Sequence, residues 1–128
     1  MSTTKSIPPA GSHAIPLSVA IQMTQTYRKE KEQILAPAYQ GKNILASSET
    51  FNRDVFDQLL AIPGAAAVRV YYGMDSNLKV HAIFVAVNEK NEDILPVQSK
   101  ELGDGDGLIF ETGTRCPTEC PPPSPLNP

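Results

Sequence analysis

Hydrophobic and polar positions alternate most regularly between Ala65 and Asn88, and the chain is organised around that stretch. Val68, Val70 and Tyr72 alternate with Arg69 and Tyr71, the two-residue period of a half-buried strand. Gly73–Asn77 supplies turn residues, with Gly free to take positive φ and Asp and Asn able to bond their own backbone. Val80–Val87 is apolar apart from His81 and rich in β-branched and aromatic residues. A strand apolar on both faces is central, or covered on both sides. The two strands read as a hairpin, and any register with even-numbered sums keeps the faces consistent. One face then carries Val68, Val70, Tyr72, Val80, Ala82, Phe84 and Ala86. The other carries Arg69, Tyr71, His81, Ile83, Val85 and Val87.

Helical periodicity flanks the hairpin on its N-terminal side. Ile15-Pro16-Leu17-Ser18 predicts a helix start with Ser18 as cap, running from Val19 to Leu35. Ala20, Met23, Tyr27 and Ile34 recur at helical spacing, and Pro37 ends the helix. The mixed charges of Arg28–Glu32 favour a solvated surface over a basic docking face. Ile44 and Leu45 are expected to tuck against the core. Ser47 or Ser48 caps a second helix, with Glu49 placed for its dipole. Phe51, Val55, Phe56, Leu59 and Leu60 form one apolar stripe that packs on the sheet, and Pro63-Gly64 stops the helix. Ile94–Val97 predicts a short third strand, which Pro96 confines to an edge. Leu108–Phe110 predicts a last one.

These elements predict an α+β fold, with two helices on one face of a small, mainly antiparallel sheet of three to four strands. Residues 1–14 read as a flexible arm, 15–111 as a single domain and 112–128 as a tail. That tail holds six of the 12 prolines and both cysteines, and reads as extended or disordered.

Composition narrows the function classes. The 128-residue chain is 41% hydrophobic and 20% charged, ordinary globular usage for one domain. Its net charge of −3 argues against a nucleic-acid partner bound through phosphates. Eight acids and three bases lie from Asn88 onward, which describes a solvated acidic segment. The longest apolar run, Ala82–Val87, is too short to span a membrane, and Met1–Pro9 lacks the apolar core of a secretory signal. A cytoplasmic protein is expected.

Several motifs fail their chemistry. Asp104-Gly105-Asp106-Gly107 resembles the opening of a calcium loop, but Leu108 and Arg115 stand where oxygen ligands are required, so a Gly/Asp turn is the better reading. A zinc site at Cys116 and Cys120 would need both His13 and His81 as its further ligands, and one reads as part of the arm and the other of the sheet, so the four are not expected to converge. Free thiols are the favoured reading in a reducing compartment. A disulfide is sterically allowed, and intermolecular metal binding or redox pairing stay open. The PPPSP run reads as solvated tail, although it could dock in an aromatic groove. No metal, cofactor or catalytic residue is assigned.

Arg69, Tyr71 and His81 form the one polar constellation in the sheet. Arg69 can grip a carboxylate or phosphate, and His81 can exchange a proton near neutral pH. No nucleophile beside a base and no phosphate cradle accompanies them, so the triplet is a candidate ligand site without a reaction. The bland reading puts Arg69 and Tyr71 on the solvent side with His81 stacked between them. Ile83, Val85 and Val87 share this face and would expose a sizeable apolar strip on a monomer. The first helix, the C-terminal segment or a second copy must cover it. A homodimer through this face is the favoured expectation.

The segments LLAIPGAAAVRVYYGMD, VHAIFVAVN and NEDILP, with the C-terminal Cys-Pro…Cys, resemble a group of small uncharacterised bacterial proteins. The likeness covers about two-thirds of the chain. That group has no assigned activity, so the resemblance implies a bacterial cytosolic protein and transfers no catalytic residue. The functional expectation is a non-enzymatic binding or interaction protein that self-associates through the open sheet face. The alternative is a ligand-binding protein or enzyme using Arg69, Tyr71 and His81.

Overall fold

In the computed structural model, which describes residues 6–96 and 108–128, the hairpin is present with short elements on either side. In chain order these are α1 (Leu17–Glu30), a 3-10 turn at Pro37–Tyr39, β1 (Ser48–Thr50), α2 (Asp54–Leu60), β2 (Ala67–Met74), β3 (Val80–Val87), β4 (Asp93–Ile94), β5 (Ile109–Phe110) and β6 (Thr114–Cys116). The class is α+β, with small antiparallel sheets of two and four strands. No helix among the described residues is long and apolar enough to cross a membrane. Val97 and the Asp104–Gly107 turn lie outside the described residues.

The chain divides into two compact units. Of the described residues, the first takes in 6–10, 51–73, 81–96 and 108–112. Here β3 is central, as its two-sided apolarity predicts: β2 flanks one edge, and β4 and β5 share the other. Val87 pairs with Asp93, and Val85 with Ile109. α2 supplies Val55 and Leu59 to a core completed by Ile62 and Ala86. Val68 and Phe84, from the predicted core face, pack against it. Phe51 and Phe56 meet Phe84 edge-on, with ring centroids 4.8 and 5.1 Å apart. Leu60, the last residue of the predicted stripe, is exposed instead.

Local chemistry moved several boundaries. Ser48 does not cap α2 but lies in β1; Asn52 Oδ1 accepts the Asp54 amide at 3.0 Å, and the helix starts there. α1 starts at Leu17, two residues earlier than predicted, with Pro16 rather than Ser18 at the cap position and the Val19 and Ala20 amides bonded to Pro16 O, and it ends at Glu30 rather than Leu35. The hairpin turn also shifts. β2 continues through Gly73 and Met74, and Asp75 Oδ1 caps the turn by accepting from the Asn77 and Lys79 amides at 2.8 and 3.0 Å.

The second unit takes in residues 11–50, 74–80 and 113–128. The segment expected to be a tail contributes β6, which pairs with β1 through Ser48↔Cys116 and Thr50↔Thr114. Cys116 and Cys120 form a disulfide with Cα atoms 4.4 Å apart, which corrects the free-thiol reading. Further on, Ser124 and Asn127 exchange backbone hydrogen bonds. α1 belongs to this unit and buries none of its residues fully.

Candidate functional site

The turn after β3 positions the first candidate. Asn88 Oδ1 accepts from the Lys90 and Glu92 amides at 2.9 and 3.0 Å, and Asn88 N donates to Glu92 O at 3.0 Å. Asn91 takes the left-handed conformation, φ 66°, which Asn tolerates better than most side chains. This turn sets Asn91 and Asp93 beside half-buried Arg69 and exposed Tyr71. Arg69 donates to Asp93 Oδ1 and Asn91 Oδ1, and the Tyr71 hydroxyl donates to Asp93 Oδ2. The bond to the Asp93 carboxylate raises the Tyr71 phenol above its ordinary pKa.

The structure therefore unites two of the three predicted site residues. His81 is not with them: its Nδ1 lies 3.0 Å from Glu111 Oε1. This corrects the stacked arrangement, since Arg69 and Tyr71 turn to the 91–93 turn and His81 to Glu111. Arg69 has its fork filled by Asp93 and Asn91, which are intramolecular partners of the kind a ligand carboxylate would have to displace. Asp93 and Asn91 went unnoticed in the sequence because a polar turn reads as solvent-facing. The usable signal was Arg69, a lone charge in a strand that needs a counter-ion.

The apolar strip resolves differently from expectation. Val85 and Val87 are 2% and 1% exposed within a single chain. Ile83 fits over Gly73, where an added Cβ would lie 2.6 Å from Ile83 Cδ1. Val87 also borders a hollow of about 440 Å³ whose other walls include Ile7, Pro8 and Val70. Val85 and Val87 are thus covered within the chain while Ile83 stays half-buried, so the strip is not the bare apolar face from which a second copy was expected.

α1 carries the second candidate, built the opposite way round from an ordinary amphipathic helix. Its half-buried positions are Ala20, Ile21, Thr24, Arg28 and Glu30, with Lys31 just beyond its end. Apart from Ile21, its larger apolar side chains face solvent: Leu17 is 60% and Met23 62% exposed, and Val19 and Tyr27 are more than a third exposed. Val19, Met23 and Tyr27, spaced by four, share one stripe. Of the residues read at helical spacing, Ala20 is half-buried, Met23 and Tyr27 are exposed, and Ile34 lies beyond the helix and is exposed as well.

Polar bonds explain why the helix is held this way. Tyr27 OH donates to Ala46 O at 2.6 Å, Lys31 Nζ to Leu45 O at 3.1 Å and Arg28 to Leu126 O at 2.7 Å. Arg115 adds donors to Asn43 O at 2.9 Å and to Ile44 O at 3.3 Å. Four consecutive carbonyls, 43 to 46, thus each accept a side-chain donor. Arg115 attracted attention in the sequence only as a misfit in a calcium loop, and it proves to be the main tie of this unit. Partial burial raises the Tyr27 phenol above its ordinary pKa; Arg115 opposes the shift and Glu32 adds to it. Glu32 lies below its ordinary value, chiefly because its carboxylate accepts the Gly41 amide at 2.6 Å.

No protein family, curated protein or solved structure matches this chain.

Proposed function

We propose that the protein is a non-enzymatic interaction module that self-associates through the exposed apolar stripe of α1. The observation that carries this reading is the arrangement of the helix, with Val19 and Met23 of the stripe exposed and Arg28 and Lys31 turned to backbone carbonyls. Exposed apolar side chains grouped on one face mark a contact surface more often than an accident of composition. A second copy is the favoured occupant because Leu17–Tyr27 contains no charged residue. A two-fold antiparallel pairing of this helix sets neutral surface against neutral surface, with the same patch on both copies.

The ligand-binding reading of Arg69, Tyr71 and His81 has weaker support, since Arg69 and Tyr71 are bonded to Asp93 and His81 stands apart. The Cys116–Cys120 pairing favours oxidising surroundings over the reducing cytoplasm expected from the sequence.

Light scattering at increasing protein concentration tests the proposal. The wild-type chain should rise above 13.8 kDa toward twice that mass, and Met23→Glu should stay at 13.8 kDa. A wild-type chain that remains monomeric throughout, or a Met23→Glu variant that associates equally well, overturns it.

A further inference from the structure

Cys116 is 4% exposed and Cys120 is exposed, so the disulfide joins a buried cysteine to an exposed one. Cys116 sits in β6, which has other anchors: the ladder to β1, and the Arg115 donors to Asn43 O and Ile44 O. The segment after it has far less. Glu119 N donates to Arg115 O at 3.0 Å, the Ser124–Asn127 exchange is local, and Arg28 reaches Leu126 O. These bonds lie at the surface, where water competes for each partner. A disulfide that closes so short a loop restrains little of the unfolded chain, so its effect is local.

We propose that the Cys116–Cys120 disulfide is a reducible clamp on residues 117–128, and that a dithiol reductant opens it and frees this segment from α1 while β6 stays paired. One thiolate of the reductant attacks Sγ of the exposed Cys120. The S–S bond breaks, and Cys116 leaves with the electron pair and takes a proton. The reductant's second thiolate then attacks its own sulfur in the mixed disulfide, and the Cys120 thiolate departs and is protonated. Two electrons and two protons pass to the protein, and the dithiol becomes a cyclic disulfide. Arg28 then loses its Leu126 acceptor, so the redox state reaches the helix through one named bond.

Amide hydrogen exchange on the oxidised full-length chain, before and after dithiothreitol, tests this. With two free thiols confirmed by mass, exchange at Glu119, Ser124 and Asn127 should accelerate by about tenfold or more, and exchange at Ser47 and Val80 should change by less than about twofold. Ser47 N and Val80 N report the anchored part, bonded to Cys116 O and Ile44 O at 2.8 Å. Cys120→Ser, a small change at an exposed position, should give the reduced pattern without reductant. Unchanged exchange at Glu119, Ser124 and Asn127 in the reduced chain overturns the clamp. So does a Cys120→Ser chain that keeps the oxidised pattern, or an equal acceleration at Ser47 and Val80.

Discussion

The two units hold themselves together by different means. Around α2 and β3, the excluded side chains are apolar and numerous: Val55, Leu59, Ile62, Val85, Ala86 and Val87 are all buried. Around α1 and β6, only Ile44 and Cys116 are buried, and the ties are individual donors to carbonyls 43–46 plus one disulfide. Burial of apolar area is non-directional and shared among many contacts. A side-chain hydrogen bond to a carbonyl depends on one donor in one place. The first unit should therefore respond to lost volume, and the second to lost donors. That difference also explains why α1 can leave apolar side chains in water: its seat does not rely on them.

The largest effect should come from the first unit. Leu59 is fully buried in the centre of its core. Leu59→Ala removes three carbons from a packed site, and should cost about 3–5 kcal/mol of stability by denaturant unfolding. A loss below about 1 kcal/mol would mean that the core is not packed as described.

Arg115→Met tests the second unit, because it keeps most of the side-chain stem and deletes the donors. The bonds to Asn43 O and Ile44 O disappear together with the bond to Val80 O. About 2–3 kcal/mol should be lost, more than for an exposed arginine. Amide exchange should accelerate first at Ser47 and Val80. If Arg115→Met costs no more than Arg53→Met, whose side chain is almost fully exposed, the carbonyl-tie account of this unit fails.

Gly73 sharpens the contrast from the sheet side. An alanine Cβ there would come within 2.6 Å of Ile83 Cδ1, the flexible end of that side chain. Gly73→Ala should cost about 1–2 kcal/mol. Adding Ile83→Val removes the clashing carbon, so the double variant should be less destabilised than the sum of the singles. Simple additivity in the thermal-unfolding cycle would show that the two residues do not share this space.

The same contrast decides what the sequence revealed. The β2–β3 hairpin, the α2 stripe and the α+β class were legible, because burial imposes the two-residue and 3.6-residue periods that these residues display. Gly73 looked like a turn residue because its role, room for Ile83, is a tertiary contact that neighbouring residues do not encode. The seating of α1 was not legible for the same reason. Ala20, Met23 and Tyr27 have helical spacing whether that face meets protein or water, and Arg28, Lys31 and Arg115 turn the helix through partners distant in sequence. Residues 114–116 carried no strand signal beyond a Thr and a β-compatible Cys, so their pairing with Ser48–Thr50 rests on register rather than propensity. In the candidate site, Arg69 and Tyr71 were found as members, and their partners in the 88–93 turn were not.

The smallest expected effect concerns Tyr27, whose hydroxyl donates to Ala46 O at 2.6 Å at a partly exposed position. Tyr27→Phe keeps the ring and deletes one donor, so water can still reach the carbonyl and the loss should be about 0.5–1 kcal/mol. The pH dependence separates this bond from packing. Burial raises the folded-state pKa above the ordinary 10.0. The unfolded chain then ionises first as pH rises, so the stability contributed by neutral Tyr27 is intact below the unfolded pKa and is lost as pH climbs through the folded one. Wild-type stability should therefore fall more steeply than that of Tyr27→Phe between about pH 9 and about pH 11. Absorbance of tyrosinate followed over the same range should show one phenol fewer titrating late in the variant. Parallel stability curves for the two chains would show that Tyr27 is held by its ring alone, and would remove one of the donors on which the second unit is said to rest.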